Sequence, residues 1–220
     1  MAKLKDFAIS DARPFPVILL VDVSGSMKTN GKMDAVNEAG NMMLQSFSAE
    51  DQTRAVIHVG VITFGGAGAR VVQKPTSAVG LEWPRLTAAG KTPLGEALDL
   101  ATGMIEDRQT IKSRAYKPTL VLISDGQPTD DWEGALSRLQ VSERASKAVR
   151  YAMAIGDDAD IDELRKFVTN PNGRVFRAHE ARQIKQFFQW VTLSITIRSR
   201  SLNPDKDVIE EPTDFDDFDF

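Results

Sequence analysis

The sequence predicts an α/β fold with a mostly parallel central sheet, one antiparallel edge strand and helices on both faces. Short apolar segments rich in β-branched residues alternate along the chain with longer segments whose apolar residues recur at helical spacing. The connections between successive strands are long enough to hold a helix, which favours parallel crossovers. The glycine-rich link at residues 65–68 is much shorter and favours a hairpin with an antiparallel strand.

The first part of the chain contains three predicted strands and one helix. Residues 17–21 are continuously apolar and β-branched at several positions, as in a strand buried on both faces. Apolar residues then recur at helical spacing from 32 to 48, after an Asn30–Gly31 turn. Residues 55–64 predict the second strand, and the glycine link leads from it into a third strand at residues 69–73.

The second part of the chain repeats the alternation. Apolar residues at helical spacing predict helices at residues 94–105, 132–147 and 160–169, and a last long helix with an apolar face formed by Ile184, Phe187, Phe188, Val191 and Ile195. Short apolar runs predict strands at residues 119–123, 149–155 and 174–176. Asp130 or Asp131 would open the helix at residue 132, and we expect Asp130 to cap it with Glu133 as reciprocal partner.

The composition indicates one folded domain with two appendages. A chain of 220 residues with 42% hydrophobic content can bury one substantial core, which we assign to residues 14–200. Residues 1–13 form an N-terminal extension. Residues 201–220 form an acidic, phenylalanine-containing tail, and we predict disorder there because charge and proline are combined with few aliphatic side chains.

Charge and composition argue against several function classes. The net charge is −4, but residues 205–220 hold eight acids against Lys206 alone, so the rest of the chain is nearly balanced and has no basic stripe for nucleic acid. The absence of cysteine excludes a disulfide framework and a thiolate nucleophile. Apolar runs are far shorter than a membrane span, and no secretion signal is evident, so we expect a cytoplasmic protein without a membrane anchor.

Five oxygen-bearing side chains fall where the predicted fold would gather them at one edge of the sheet. Asp22, Ser24 and Ser26 follow the first strand. Asp125 follows a later strand, and Thr92 begins a helix. Ligands in such sheets bind outside the carboxyl ends of the strands. Three hydroxyls and two carboxylates are hard donors that suit Mg²⁺ or Mn²⁺ and, less strictly, Ca²⁺.

Each of the three segments that carry these residues also has a simpler interpretation. The two serines could cap the following helix, and the threonine could cap a helix that starts with Pro93. Asp125 is followed by Gly126, as in a common turn. For any one residue alone the simpler interpretation is favoured, but their joint placement favours a metal site.

Three segments of the chain resemble a known family. DVSGS at 22–26, the threonine of GKTPLGEAL at 90–98 and the aspartate of LISDGQPTDD at 122–131 resemble the von Willebrand factor A (vWA) domain and its intact metal-ion-dependent adhesion site. The resemblance covers roughly residues 16–196, and the chain closely resembles the bacterial stand-alone branch typified by tellurium-resistance TerY-like proteins. It implies a Rossmann-like sheet with the cation at its top.

The resemblance also implies a division of roles within the site. By that match Ser24 and Ser26 are direct metal ligands, and Thr92 binds the metal directly or through water. Asp22 and Asp125 are outer supports that act largely through water. One departure from the family pattern is Lys91, which stands where family members commonly carry glycine; we expect this ammonium to point to solvent.

The expected function is metal-dependent protein binding. A cation held mainly by neutral oxygens keeps much of its charge, so a partner's Asp or Glu carboxylate can fill its open position. The TerY-like resemblance implies an adaptor or scaffold in a bacterial stress or tellurite-resistance system, with kinase or phosphatase partners. The alternative is a vWA subunit that cooperates with an AAA+ ATPase, as in chelatase-like assemblies.

We do not expect an enzyme. The weakest alternative, a metal-dependent phosphohydrolase, needs a general base close to the metal and usually a second metal, and no such base is evident. His58 lies within a predicted strand as a packing residue, and His179 begins the last helix, so no pattern places either histidine beside a nucleophile.

The acidic tail is a second candidate binding feature. Phe215, Phe218 and Phe220 are closely spaced among aspartates, and exposed phenylalanines favour a docking motif for a partner over a purely solubilising tail. A tail carboxylate could instead occupy the open position of the metal, in its own molecule or in a neighbour's.

Overall fold

Strands and helices alternate along the computed structural model, which describes residues 12–50, 54–125, 127–157, 159–168 and 175–206. The strands are β1 (Arg13–Asp22), β2 (Ala55–Gly65), β3 (Gly68–Ser77), β4 (Thr119–Ser124), β5 (Val149–Ile155) and β6 (Val175–Ala178). The α-helices are α1 (Lys32–Ser48), α2 (Leu94–Glu106), α3 (Trp132–Val141), α4 (Ile161–Phe167) and α5 (Ala181–Arg200). Short 3-10 turns lie at Gly25–Lys28 and Ala145–Lys147.

The strands form one sheet in the order β3-β2-β1-β4-β5-β6, and β3 is the antiparallel edge strand. The other pairs of neighbours are parallel, so the predicted fold class is confirmed. β1 begins four residues before the predicted strand. Its ladder with β2 starts at Arg13, whereas its ladder with β4 starts only at Val17. The start of β1 can therefore include Pro14 and Pro16, which lack the N–H that a two-sided ladder requires.

Alternate side chains of β1 build two hydrophobic cores, one on each face of the sheet. Val17 and Leu19 pack in the core that also contains the buried side chains of α1 and α5. Ile18 and Leu20 pack in the core that contains those of α2, α3 and α4. The continuous apolar run of β1 is explained by this burial on both faces.

The predicted helix at residues 132–147 is wrong in its second half, because α3 ends at Val141. The carboxylate of Glu106 accepts hydrogen bonds from the backbone N–H groups of Arg144 at 2.7 Å and Ala145 at 2.9 Å. The Arg144 guanidinium also donates to the carbonyl of Ile111 at 2.7 Å. These tertiary bonds hold the chain outside the helical path, and the spacing of apolar residues does not report them.

The segment after α5 is described as far as Lys206 and lies beside the start of β4. The Asp205 carboxylate accepts a hydrogen bond from the backbone N–H of Lys117 at 2.7 Å. The guanidinium of buried Arg198 donates to the carbonyl of Pro204 at 3.2 Å. The tail phenylalanines Phe215, Phe218 and Phe220 and residues 1–11 lie outside the described residues. Among the helices of the described ranges, none is both long and apolar enough to cross a membrane.

Candidate metal site

The sheet contains a topological switch point between β1 and β4. From β1 the chain continues to β2 on one side, and from β4 it continues to β5 on the other side. Such a point opens a crevice at the carboxyl ends of the two strands, where α/β proteins bind ligands. Asp22 is the last residue of β1, and Asp125 directly follows β4. The two aspartates therefore lie at this crevice.

Hydrogen bonds join four of the five predicted site residues. Ser24 Oγ and Ser26 Oγ lie 2.9 Å apart, and Ser26 Oγ donates to Asp125 Oδ1 at 2.7 Å. The backbone N–H of Ser24 donates to Asp22 Oδ1 at 2.7 Å. Residues distant in sequence thus place their oxygen atoms in one cluster.

The loop that carries Thr92 is bonded to both of the other loops. The backbone N–H of Gly25 donates to the carbonyl of Gly90 at 3.0 Å, and the N–H of Thr129 donates to the carbonyl of Thr92 at 2.9 Å. Thr92 is buried, and its backbone N–H donates to the hydroxyl of Thr129 at 3.3 Å. The hydroxyl of Thr92 is an oxygen atom of the kind that a hard cation prefers.

The simpler interpretations of the serines and the threonine do not match the structure. Ser24 precedes the 3-10 turn, but its side chain accepts no capping hydrogen bond within the described part of the chain. The N-cap position of α2 belongs to Pro93 and not to Thr92. Gly126 lies outside the described residues, so the predicted turn at Asp125 stays a prediction.

The predicted role of Asp130 as the cap of α3 is wrong. Asp131 caps that helix by accepting a hydrogen bond from the N–H of Gly134. Asp130 instead accepts hydrogen bonds from the N–H groups of Gly95 at 2.9 Å and Glu96 at 3.0 Å, and so caps α2. The sequence spacing predicted that Asp130 caps the nearby helix α3. In the fold, its carboxylate lies at the start of α2 instead.

Asp22 is fully buried and firmly hydrogen-bonded. Ser124, which sequence reasoning missed, donates from Oγ to Asp22 Oδ2 at 2.7 Å. Burial raises the pKa of Asp22; the hydrogen bonds from Ser124 and Ser24 act in the opposite direction, and the charge of Asp125 raises it further. Two carboxylates in one crevice repel each other when both are ionised, and a bound cation would relieve this repulsion.

Lys32 supplies a positive charge that the sequence interpretation did not include. Its Nζ lies 2.7 Å from Asp125 Oδ2, and the two side chains are 15% and 0% exposed. Lys32 is the first residue of α1, and the sequence marked it only as the start of a helix. Lys91, by contrast, is exposed, as predicted.

The oxygen atoms at the crevice fit a hard divalent cation. The cluster combines hydroxyls with two carboxylates, and Thr92 on the adjoining loop adds a further hydroxyl. Over the described ranges, no three His, Cys, Asp or Glu side chains are grouped so that they could hold a metal. Any cation at this crevice would therefore depend on hydroxyl ligands, a set that suits Mg²⁺ or Mn²⁺ better than a metal that prefers nitrogen or sulfur.

The residues of this crevice lie within a part of the chain that matches a known family model. The family model described as von Willebrand factor type A domain matches residues 17–127, which include all five predicted site residues. The chain is 36% identical over 117 residues to the uncharacterized protein Rv2850c of Mycobacterium tuberculosis, covering 51% of this chain and 18% of the relative. It is 29% identical over 148 residues to the magnesium-chelatase 60 kDa subunit of Rhodobacter capsulatus, covering 66% of this chain and 25% of that subunit. The chain thus spans a quarter or less of these relatives.

Solved structures share the fold. A von Willebrand factor type A protein from Catenulispora acidiphila superposes with a TM-score of 0.63 at 22% identity, covering 83% of this chain and 43% of that one. Proximal thread matrix protein 1 of the mussel byssus, with a zinc-occupied MIDAS motif, superposes with a TM-score of 0.63 at 15% identity, covering 82% of this chain and 48% of that one.

Proposed function

Because the chain belongs to the von Willebrand factor type A domain family, we propose that it is a protein-binding module that grips a partner's carboxylate through Mg²⁺ or Mn²⁺. The observation that carries this proposal is the hydrogen-bonded cluster of Ser24, Ser26 and Asp125, to which the Thr92 loop is joined by the backbone bond between Gly25 and Gly90. The side chains of Ser24 and Thr92 have no local capping role that would otherwise explain their placement. This chain covers a quarter or less of its longer relatives, so it does not take over their activities and partners without a test.

Each residue of the crevice would have a distinct role. The hydroxyls of Ser24, Ser26 and Thr92 would hold the cation. Asp22 orients Ser24 through its bond to the backbone N–H, and Asp125 orients the hydroxyl of Ser26. When bound, the cation supplies a Lewis-acid centre with an open position for an anionic oxygen. A site built largely from neutral oxygens leaves that centre enough charge to favour a carboxylate.

Metal binding is the first part of the proposal to test. We expect wild-type protein to bind Mn²⁺ in calorimetric titration, and Ser26→Ala and Thr92→Ala to bind it about tenfold or more weakly, since each loses one ligand. Thr87→Ala is the control, because Thr87 is an exposed threonine on the same loop. Equal affinity in all four proteins would reject the assigned ligands.

Partner binding is the second part. Affinity capture from a host lysate would use wild-type bait with Mg²⁺, wild-type bait with EDTA, and Ser26→Ala bait. Ser26 is a better choice than Asp22, because Asp22 is buried and its loss would disturb the loop. A partner retained only by the first bait supports the proposal. Partners that survive both EDTA and the substitution would show that recognition lies elsewhere.

The relation to a magnesium-chelatase subunit favours a second candidate function. In that case the chain works as a subunit beside an AAA+ ATPase, and purified chain would stimulate ATP hydrolysis by that motor in a Mg²⁺-dependent way. The narrower TerY-like hypothesis names a kinase or phosphatase in a stress or tellurite-resistance system instead. The proteins recovered by capture would separate these candidates.

We also propose that the chain binds and does not catalyse. His58 lies in β2, and His179 pairs with Asp157 at 2.7 Å through its Nδ1. Neither the position of His58 nor the pair of His179 involves the serine cluster. Hydrolysis of a generic phosphate ester that requires Mg²⁺ and is lost in Ser26→Ala would overturn this part.

A further inference from the structure

Lys32 occupies a position that helix electrostatics disfavour. It is the first residue of the 17-residue helix α1, where the positive end of the helix dipole destabilises a cation. The N-cap is Gly31, which offers no side-chain oxygen. A basic residue at this point therefore needs a favourable interaction elsewhere, and the 2.7 Å contact with Asp125 supplies one.

The surroundings of Lys32 hold its ammonium toward the crevice. The side chain is only 15% exposed, and the Asp125 side chain that it contacts is fully buried. On the other side, Lys32 packs over Gly156, where an added Cβ would lie 3.2 Å from Nζ. Asp125 is shared, since its Oδ1 accepts from Ser26 while its Oδ2 accepts from Lys32. The Asp125 carboxylate thus links the Lys32 ammonium to the hydroxyl of Ser26, a proposed metal ligand.

We propose that Lys32 is a built-in counter-ion that weakens cation binding at the crevice and strengthens the attraction of the bound cation for a carboxylate. This inference rests on the proposed function. Asp22 and Asp125 carry two negative charges, and Lys32 reduces the sum to one. A divalent cation then leaves the crevice with a net positive charge, which an anionic ligand neutralises. Without Lys32 the loaded crevice would be neutral and would attract a carboxylate less.

The proposal predicts opposite changes in two affinities of the variant Lys32→Met. Removing a charge close to the cation should tighten Mn²⁺ binding by about tenfold in calorimetric titration. Acetate, used as the carboxylate probe, should bind the Mn²⁺-loaded variant at least about threefold more weakly than the loaded wild type. Acetate binding is measured as a decrease in the relaxation rate of the water protons, because acetate displaces water from Mn²⁺.

Stability in EDTA gives a readout that is independent of the probe. Lys32→Met leaves the buried Asp125 carboxylate without its ion pair, so the metal-free variant should melt at a lower temperature than wild type. Saturating Mn²⁺ should raise its melting temperature by more than it raises that of wild type. Lys32→Gln repeats the test if the methionine variant does not fold, and Lys32→Arg should stay close to wild type.

Two controls show whether the effect is specific to this lysine. Lys28 and Lys91 are exposed lysines on the loops of the same crevice, and Lys28→Met and Lys91→Met should change the Mn²⁺ affinity less than twofold. Unchanged or weaker Mn²⁺ binding by folded Lys32→Met would overturn the inference, as would an equal gain in Lys28→Met. Wild-type protein that binds no Mn²⁺ would instead reject the proposed function itself.

Discussion

The carboxylate of Asp130 accepts a hydrogen bond from the backbone N–H of Gly95 at 2.9 Å, and so caps α2 from a loop 35 residues away in sequence. It also accepts from the N–H of Glu96. Gly95 permits this approach, since a Cβ there would lie 2.9 Å from Asp130 Oδ2. Because α2 starts two residues after Thr92, this cap fixes the Thr92 loop to the loop that follows Asp125.

Asp130→Ala should therefore weaken both the fold and the metal site. Loss of the cap should lower the free energy of unfolding by about 1–2 kcal/mol in urea titration. The freed Thr92 loop should also lower the Mn²⁺ affinity by several-fold. Asp131→Ala is the matched control, because Asp131 caps α3 locally and should cost about 1 kcal/mol without changing Mn²⁺ affinity. Equal Mn²⁺ affinity in the two variants would contradict the coupling.

The sequence predicted the strands, the sheet class and the group of oxygen-bearing residues, because these depend on short-range patterns. Burial on both faces produces the continuous apolar run of β1, and helical spacing located α1 at Lys32–Ser48 as the structure has it. Asp22, Ser24 and Ser26 are close in sequence and follow the first strand, so the sequence already placed them together at one edge of the sheet. In these cases the residues that meet in the fold are also close together in the sequence.

The sequence could not predict contacts that the three-dimensional fold creates. Lys32 and Asp125 are 93 residues apart, and Ser124 and Asp22 are 102 apart. Lys32 was predicted only as the first residue of a helix, and the predicted strand ended at residue 123, just before Ser124. The end of α3 at Val141 has the same cause, because the carboxylate of Glu106 in α2 accepts a hydrogen bond from the backbone N–H of Arg144. Only the packed fold shows which polar groups meet.

Glu106 should make the stability of the protein depend on pH. Burial acts to raise the pKa of Glu106. The backbone N–H groups of Ala145 and Arg144, the Ser142 hydroxyl and the charge of Arg144 together outweigh it, so the pKa is lowered. A group with a lower pKa in the folded state stabilises the fold above its unfolded pKa, and this stabilisation is lost as the pH falls through the folded pKa. Acidification should therefore remove the contribution of Glu106.

The variant Glu106→Gln tests this linkage. Near pH 7 it should lower the free energy of unfolding by about 1 kcal/mol, because two hydrogen bonds lose their charge assistance. The difference from wild type should shrink as the pH falls from about 5 to 3 in urea titrations. Glu143→Gln is the control, since its pair with Arg108 is largely exposed and should contribute little. A difference that does not change with pH would contradict the assignment.

Truncation after Lys206 should separate the acidic tail from the folded domain. The contact of Asp205 with the backbone of Lys117 is retained, so the melting temperature should stay within about 2 °C of the full chain. If the phenylalanines at 215, 218 and 220 dock on a partner, capture of that partner should fall, and alanine at all three positions should have the same effect.

Truncation of the tail also has a measurable outcome at the metal site. A tail carboxylate that fills the open position of the cation would make the truncated chain bind acetate more tightly in the Mn²⁺ relaxation assay. Unchanged capture, acetate binding and oligomeric state after truncation would leave the tail without a binding role.

Gly40 in α1 should tolerate no side chain, because it packs directly on Trp83. An added Cβ would lie 2.5 Å from the indole ring. Trp83 Nε1 donates to Asn37 Oδ1 at 3.1 Å, and the same oxygen accepts the N–H of Leu86 at 2.9 Å. These bonds attach the loop that leads to Thr92 to the surface of α1.

Gly40→Ala should therefore destabilise the protein by about 1–3 kcal/mol in urea titration, since overpacking exceeds the gain in helix propensity. Displacement of the indole should also loosen the Thr92 loop and lower the Mn²⁺ affinity. Gly103→Ala is the matched control: Gly103 is exposed in α2 with nothing within 4 Å of an added Cβ, so alanine should stabilise the protein by up to about 1 kcal/mol. If Gly40→Ala were as stabilising as Gly103→Ala, the indole would not be fixed on α1, and the attachment of the Thr92 loop through Trp83 and Asn37 would have to be abandoned.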